Sequence, residues 1–352
     1  MLRQRKPLSI IIITLILVAV LASLTPTSSP ADNDTPILST RPNEQTQPST
    51  VATEPSSEAT EPSSEPTVPP TETNPQPTPP TGPNQITIPA ITSPNAFIYD
   101  CRTDKFLYTT GDVHEKLYPA SITKLFTAYV ALMYLKPTDV AIVGNILETL
   151  PSDSSTALLN PNDRLSVSDL VLAMLLPSGG DAARVLAVAA GKQLLGTTDQ
   201  TDYTYYEAFV DEMNRQAKLL GMSDSHFKNP DGYHDPDHYI SLADAARMGE
   251  LCLNSSQIMR SAMTEVHVAV VRNTGREIQW VNTNKLLFEQ RYPEFYCAHA
   301  IGLKTGFTSA AGNCLLSAFQ VEDGHLIIGI FGCETRDDRF YDTLKLFNAV
   351  NQ

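Results

Sequence analysis

The chain has 352 residues and a net charge of −14, a size that accommodates two domains or one large one. Nucleic-acid-binding proteins carry clusters of basic residues that contact phosphates, whereas this chain is acidic overall, so no nucleic-acid partner is predicted. Without a Gly-X-Y period, a long heptad run or a second long apolar segment, the sequence is not that of collagen, a coiled coil or a multi-span membrane protein.

The first predicted element is a hydrophobic segment. Basic residues within the first six positions precede the uncharged stretch Leu8 to Leu24, which as a helix falls just short of crossing a bilayer. Two interpretations of residues 1–25 stay open: a signal peptide cleaved near Ala22, or an uncleaved anchor with its basic end in the cytoplasm. Both predict an extracytoplasmic protein. The long apolar run favours the anchor, so the membrane is an expected partner.

Residues 26–93 have the composition of a stalk. They are rich in Pro, Thr, Ser and Glu and contain a near-repeat, 54–60 followed by 61–67. Because the stretch has few apolar groups and a net negative charge, burial of its side chains cannot offset the entropy lost on ordering. This composition predicts a disordered and extended segment. Every aromatic residue lies at or after Phe97, so we predict that the folded domain is 94–352.

The elements of that domain follow in chain order. Strand-like alternation from Phe97 to Tyr108 predicts a hairpin. Apolar spacing with start and stop residues predicts helices at 121–135, 166–176, 181–195, 205–220, 242–253 and 339–350. Strands are predicted at 265–271, 277–281, 302–304, 312–320 and 325–333. Helices between strand-rich ends indicate an α+β fold or an α/β sandwich with an antiparallel sheet.

Cysteines and histidines carry little functional signal. The five cysteines are widely spaced and odd in number, so we expect mainly buried hydrophobic thiols, although one pair could form a disulfide outside the cell. His234 and His238 flank two aspartates, but Pro236 interrupts the helical spacing that would bring them together. We therefore predict no metal and no cofactor, and a structural role for His238.

The first chemical motif is Pro119-Ala-Ser-Ile-Thr-Lys124. Three residues apart near a helix start, Ser121 and Lys124 lie on one face, where free N–H groups can donate to an anion. A serine becomes a good nucleophile only when a base accepts its proton, and a lysine can be that base if desolvation and a nearby cation lower its pKa. A second copy, Ser225 to Lys228, runs into a Pro-Asp-Gly turn and is discounted.

Two further motifs follow in the chain. Ser178-Gly-Gly-Asp181 lies in a loop between two predicted helices, where its hydroxyl and backbone can approach a substrate. The strand Gly302-Leu-Lys-Thr-Gly-Phe-Thr308 can hold a carboxylate with its lysine and threonine, and can accept a substrate as an added strand. Each pattern alone is equally typical of a helix cap, a turn or a bulged strand.

The three motifs in this order resemble the Ser-x-x-Lys, Ser-x-Asn and Lys-Thr-Gly signature of active-site serine penicillin-binding proteins and β-lactamases. Over residues 97–350 the chain resembles more closely the low-molecular-mass D-alanyl-D-alanine carboxypeptidases of peptidase family S11, with further similarity at 221–233 and 282–287. The resemblance implies a β-lactamase/transpeptidase-like fold, an antiparallel sheet flanked by helices with a helical subdomain. It also implies removal of the terminal D-Ala from peptidoglycan stem pentapeptides, with β-lactams as covalent inhibitors.

The resemblance assigns the chemical steps to four side chains and two backbone N–H groups. Ser121 would be acylated by the penultimate D-Ala carbonyl, Lys124 would be the general base, and Ser178 would relay a proton to the leaving D-Ala. The N–H groups of Ser121 and Phe307 would form the oxyanion hole. Lys304 would help to keep Lys124 neutral by charge repulsion.

It also assigns substrate binding to the third motif. Lys304 and Thr305 would bind the terminal carboxylate, and Gly306 and Phe307 would contact the substrate backbone. An arginine near the last helix, Arg336 or Arg339, would assist the carboxylate.

Two departures from the family pattern stand out. Gly180 occupies the Asn position of the second motif, which removes an amide expected to contact the substrate and Lys124 and predicts reduced or altered activity. Class D β-lactamases also lack that amide, so loss of all activity is not expected. The second β-domain and C-terminal anchor common in the family have no counterpart before Gln352, and the N-terminal segment is expected to replace that anchor.

Three alternatives stay open. A β-lactamase would need a carboxylate positioned to activate water for fast deacylation, and no segment for one is evident. A catalytically weakened β-lactam-sensing or peptidoglycan-binding domain is compatible with Gly180. The third alternative is an extracellular domain on a stalk in which the three motifs occur by chance and have no catalytic role.

Overall fold

The computed structural model describes residues 87–351. The predicted N-terminal segment 1–25 and residues 26–86 of the predicted stalk lie outside the described residues. No helix between residues 87 and 351 combines the length and the apolar character needed to cross a membrane. The described chain joins the folded domain at Thr92 and Ser93, whose backbone N–H groups both donate to the Asp342 carboxylate at 2.8 Å.

The described residues form nine strands, seven α-helices and three short 3-10 turns. The strands are β1 (Asn95–Asp100), β2 (Lys105–Thr110), β3 (Val140–Ile142), β4 (Arg164–Ser166), β5 (Val266–Val270), β6 (Glu277–Val281), β7 (Ala300–Thr308), β8 (Gly312–Val321) and β9 (Gly324–Cys333). The helices are α1 (Thr123–Tyr134), α2 (Val167–Leu175), α3 (Gly180–Leu195), α4 (Asp202–Leu219), α5 (Leu242–Leu253), α6 (Ser256–Met263) and α7 (Asp338–Val350). The 3-10 turns are Ala120–Ile122, Asn145–Thr149 and Lys285–Leu287.

Five antiparallel strands form the central sheet in the order β2-β1-β9-β8-β7. The strands from the two ends of the domain therefore meet in one sheet, and β7 is left at its edge. Two small two-stranded sheets, β3-β4 and β5-β6, lie apart from it. An edge strand keeps one row of backbone groups free, so β7 can pair with a further extended chain.

Alternation along β1 and β8 buries both faces of the sheet. Phe97 and Leu316 belong to the large core shared with the central helices, whereas Ile98 and Phe319 belong to a second core against α7. Because successive side chains of a strand point to opposite faces, each face needs its own helical layer. The antiparallel sheet flanked by helices, with a helical subdomain, is confirmed.

The predicted helices and strands are found with small boundary shifts, except that the strand predicted at 302–304 extends over Ala300–Thr308. Capping residues determine where three of the predicted helices begin. Ser166, Thr201 and Ser241 cap α2, α4 and α5 by accepting from the backbone N–H three residues ahead. The structure adds α6, capped by Ser255, and the three-residue strands β3 and β4. These elements are too short for hydrophobic periodicity to reveal.

Candidate active site

Ser121 lies in the 3-10 turn that leads into α1, not within the α-helix that the sequence predicted. The preceding residue, Ala120, adopts a left-handed backbone conformation with φ +47°. Strand β7 passes so close that a Cβ atom at Gly306 would lie 3.0 Å from the Pro119 oxygen and 3.3 Å from the Ser121 nitrogen. Only a glycine in β7 lets the strand approach the nucleophile this closely.

Lys124 lies one turn further along, and its amine meets the serine hydroxyl. Lys124 Nζ is 2.8 Å from Ser121 Oγ and also donates to the main-chain oxygen of Asp231. The side chain is buried, and burial lowers the pKa of Lys124 to about 8, because the charged form loses its hydration. The predicted desolvation of this lysine is therefore present, and it makes the neutral amine accessible near neutral pH.

The charges around Lys124 oppose one another. Asp231 and Asp181 raise its pKa, and Arg184 lowers it. Sequence reasoning assigned the lowering cation to Lys304, and the structure adds Arg184 as a further cation that lowers this pKa. Lys304 and Lys124 repel each other, and this repulsion adds to burial in lowering the pKa of Lys304.

Ser178 is held in a strained conformation at the cleft. Its φ is +68°, its side chain is buried, and its hydroxyl has no hydrogen-bond partner among the described residues. The turn is held by Asp181, whose carboxylate accepts from the N–H groups of Ala157, Leu159 and Ala182. A strained serine with a free buried hydroxyl is expected where the hydroxyl has a functional partner to meet.

The third motif lies on the edge strand β7. Thr305 faces the cleft, and its Oγ1 is 2.6 Å from that of Thr283. Lys304 is 1% exposed and does not line the cleft, but its Nζ donates to the Thr305 oxygen at 3.0 Å and lies 3.4 Å from Thr305 Oγ1. A bulge with left-handed Leu303 precedes it. The structure therefore places Lys304 beneath the cleft wall and Thr305 on it.

Residues of all three motifs line one cleft of about 680 Å³. The predicted site residues on its wall are Ser121, Lys124, Ser178, Thr305, Gly306 and Phe307. Both candidate arginines, Arg336 and Arg339, also line it. Arg339 donates to the Gly306 oxygen at 2.9 Å, while its Nε lacks a partner among the described residues, and burial lowers its pKa to about 10.

The discounted residues lie elsewhere. Ser225 donates to Asp244 at 2.6 Å, and neither it nor Lys228 lines the cleft. His238 is buried, accepts from the Lys228 N–H at 3.2 Å and lies 2.8 Å from Thr123 Oγ1, so its predicted structural role is confirmed. Between residues 87 and 351 no three His, Cys, Asp or Glu side chains gather as metal ligands do, and all five cysteines are free thiols.

Sequence reasoning missed two charged residues of the site. Asp231 lines the cleft and forms an ion pair of 2.9 Å with Arg184, which is also buried. The available signal was the Asn229-Pro-Asp-Gly-Tyr233 segment, which was interpreted as a turn and as part of the family resemblance, without a role for Asp231. Arg184 carries no signal of its own, because an arginine in a helix is ordinarily a surface residue.

A serine and a buried lysine facing an edge strand across a cleft, on a five-stranded antiparallel sheet flanked by helices, define the fold class of the DD-transpeptidases and penicillin-binding proteins. The solved structure of the Streptomyces K15 DD-transpeptidase matches with a TM-score of 0.66 and 26% sequence identity, over 75% of this chain and 98% of that one. The chain belongs to peptidase family S11, described as D-alanyl-D-alanine carboxypeptidase, whose family model matches residues 82–335.

Individual relatives agree with this membership. The D-alanyl-D-alanine carboxypeptidase DacA of Haemophilus influenzae is 30% identical over 270 residues, which is 74% of this chain and 62% of the relative. DacF of Bacillus subtilis is 28% identical over 258 residues, 72% of this chain and 61% of the relative. The chain thus matches about three-fifths of the length of these relatives.

Proposed function

We propose that this protein is a serine-type D-Ala-D-Ala carboxypeptidase that removes the terminal D-Ala from peptidoglycan stem pentapeptides. The observation that carries the proposal is the 2.8 Å contact between Ser121 Oγ and the buried Lys124 amine, on the wall of a cleft that an edge strand borders. Family membership and the names of the relatives support the same activity.

Acylation begins with proton transfer. Neutral Lys124 takes the Ser121 proton, and Oγ attacks the carbonyl carbon of the penultimate D-Ala. The oxyanion receives hydrogen bonds from the N–H groups of Ser121 and Phe307, each of which contributes about 2.7–4 kcal/mol where such donors have been removed. The C–N bond then breaks, and the Lys124 proton reaches the leaving amine through Ser178. Water hydrolyses the resulting ester and frees Ser121.

Substrate binding uses the free edge of β7. An extended stem peptide can pair with this edge as an added strand, which places its carbonyl beside the nucleophile. The terminal carboxylate then meets the Thr305 hydroxyl and the guanidinium groups of Arg336 and Arg339, which line the same cleft. Lys304 would add its charge to the same carboxylate site from beneath, because its Nζ lies 3.0 Å from the Thr305 oxygen and 3.4 Å from Thr305 Oγ1.

The substrate fixes where the protein must work. Stem peptides belong to the cell wall, so we place the domain from residue 94 onward outside the cytoplasm. The hydrophobic segment Leu8 to Leu24 would export it and either hold it at the membrane or be cleaved, and the Pro-rich stretch would act as a spacer. β-Lactams, which imitate the acylating peptide, are the expected covalent inhibitors.

The test uses the full-length protein with two readouts. Mass spectrometry after incubation with benzylpenicillin should show one adduct on Ser121, and D-Ala should be released from a pentapeptide ending in D-Ala-D-Ala. Ser121→Ala should abolish both, whereas Ser225→Ala, in the second Ser-x-x-Lys copy, should retain both. An adduct without D-Ala release would indicate a sensor, penicillin turnover a β-lactamase, and no adduct would refute the serine mechanism.

A further inference from the structure

An ion pair lies buried behind the catalytic lysine. Arg184, in the second turn of α3, is 6% exposed and Asp231 is 3% exposed. Arg184 Nε donates to Asp231 Oδ2 at 2.9 Å, and its NH1 donates to Thr149 Oγ1 at 2.7 Å and to the Thr149 oxygen at 3.1 Å. Desolvating two charges makes such a pair a poor source of stability compared with apolar side chains. Its position therefore points to a role other than holding the fold together.

The pair contacts both the lysine and the position of the missing amide. The Asp231 backbone oxygen accepts a hydrogen bond from Lys124 Nζ. A Cβ atom at Gly180 would lie 3.3 Å from Asp231 Oδ2, 3.3 Å from the Ser155 oxygen and 3.1 Å from Leu150 Cδ1. The space beside Gly180 is thus already bordered by the Asp231 carboxylate, which Arg184 orients.

We propose that Arg184 and Asp231 form a positioning pair that replaces the amide missing at Gly180, holding the Lys124 amine against Ser121 and balancing the charge around it. This inference rests on the proposed function, because Lys124 matters in this way only as the base of an acylation. The hydrogen bonds of the two side chains go to each other and to neighbouring groups, and only the Asp231 backbone oxygen reaches Lys124 Nζ. Arg184 acts through Asp231, and Asp231 acts through Lys124.

The two charges act on Lys124 in opposite directions. Loss of the Arg184 cation, which lowers the pKa of Lys124, should raise that pKa, and loss of the Asp231 anion should lower it. The other titratable groups that interact with Lys124 are Asp181, Lys304 and His238. They stay in place in the variants below, so the opposite directions isolate the pair.

The experiment measures the acylation rate of Ser121 by a fluorescent penicillin from about pH 6 to about pH 10, where the rising limb reports the base. Arg184→Gln should move that limb upward by on the order of one pH unit, and Asp231→Asn should move it downward by a similar amount. The double variant should return towards the wild-type position, and Arg184→Lys should stay near it. Arg247→Gln, which removes a surface arginine paired with Glu250, is the matched control and should leave the limb unchanged.

A purely structural pair would behave differently. Its variants would lower thermal stability and reduce the rate equally at every pH, with the limb unmoved, and that result would overturn the inference. If Arg184→Gln does not fold, Asp231→Asn alone tests the inference. In that variant the Arg184 guanidinium keeps its Thr149 partners, and the rising limb of the pH–rate profile must still move to lower pH. If wild-type protein is itself not acylated, the proposed function fails; if it is acylated and the variants do not shift, only the pair's role fails.

Discussion

Replacing Gly180 with the residue that the family motif carries should harm this protein. The gain of Gly180→Asn is one amide able to bond Lys124 or the substrate, worth about 1 kcal/mol. The cost starts at the first added atom, because the Cβ would sit 3.1 Å from Leu150 Cδ1 and 3.3 Å from Asp231 Oδ2. Overpacking of this kind costs about 1–3 kcal/mol.

The amide atoms beyond the Cβ raise the cost further. To reach Lys124 they must move the Asp231 carboxylate, and separating it from Arg184 leaves a buried charge unpaired, at about 3–5 kcal/mol. Loss therefore exceeds gain by at least about 3 kcal/mol, divided between native-state stability and the acylation step. If about half of it falls on the transition state, acylation should slow by on the order of 10-fold or more. Stability should fall as well.

The assay is the second-order rate constant for acylation of Ser121 by a fluorescent penicillin, with thermal unfolding measured on the same samples. Gly180→Ala is the matched control. It adds only the Cβ, so it should lose less than Gly180→Asn in both measurements. An asparagine variant that acylates faster than wild type without loss of stability would refute the crowding argument. It would show that the site has room for an asparagine side chain.

Three further predictions concern the same site. The wild-type acylation rate should rise about tenfold from pH 7 to above pH 9, since the pKa of Lys124 is lowered to about 8; a flat profile in stopped-flow measurements would contradict its role as base. Burial lowers the pKa of His238 to about 4, so the unfolded state takes up a proton more readily than the native state as the pH falls. The unfolding free energy should therefore fall by about 3 kcal/mol from pH 6.5 to pH 4. Urea titrations should show a shallower pH dependence in His238→Asn, and an equal slope would exclude this histidine as the cause. Gly306→Ala should slow acylation by roughly 5- to 100-fold, because its Cβ would press on the turn that carries Ser121; an unchanged rate would show that β7 can retreat freely.

Local sequence patterns predicted most of the fold. Apolar spacing, capping serines and breaking prolines are determined within one or two helical turns, and α5 and β6 appear with the predicted bounds. The edge strand was predicted at only three residues, 302–304, and the structure extends it to nine. Its glycines, lysine and threonines lack the alternation that marks a strand, because β7 is buried on both faces over most of its length and contains a bulge.

Some features of the candidate site could be predicted from the sequence, and others only the structure shows. The order of the three motifs, through the resemblance to the family signature, predicted that Ser121, Lys124 and the strand around Thr305 border one cleft, and the structure brings them together. Three of the strained non-glycine residues, Ala120, Ser178 and Leu303, lie at or directly before these motifs. Backbone strain of this kind leaves no trace in sequence, since surrounding packing imposes it.

The sequence alone showed that a polar N-terminal stretch precedes an aromatic-rich domain, and it predicted the helices of that domain and the pairing of Ser121 with Lys124. Short-range spacing encodes these features. Tertiary structure decided that Lys304 lies beneath the cleft wall and that Arg184 lies against Asp231, 47 positions along the chain. Which charged side chain lies near a buried amine depends on how segments far apart in the chain pack together, and a local sequence pattern does not contain that information.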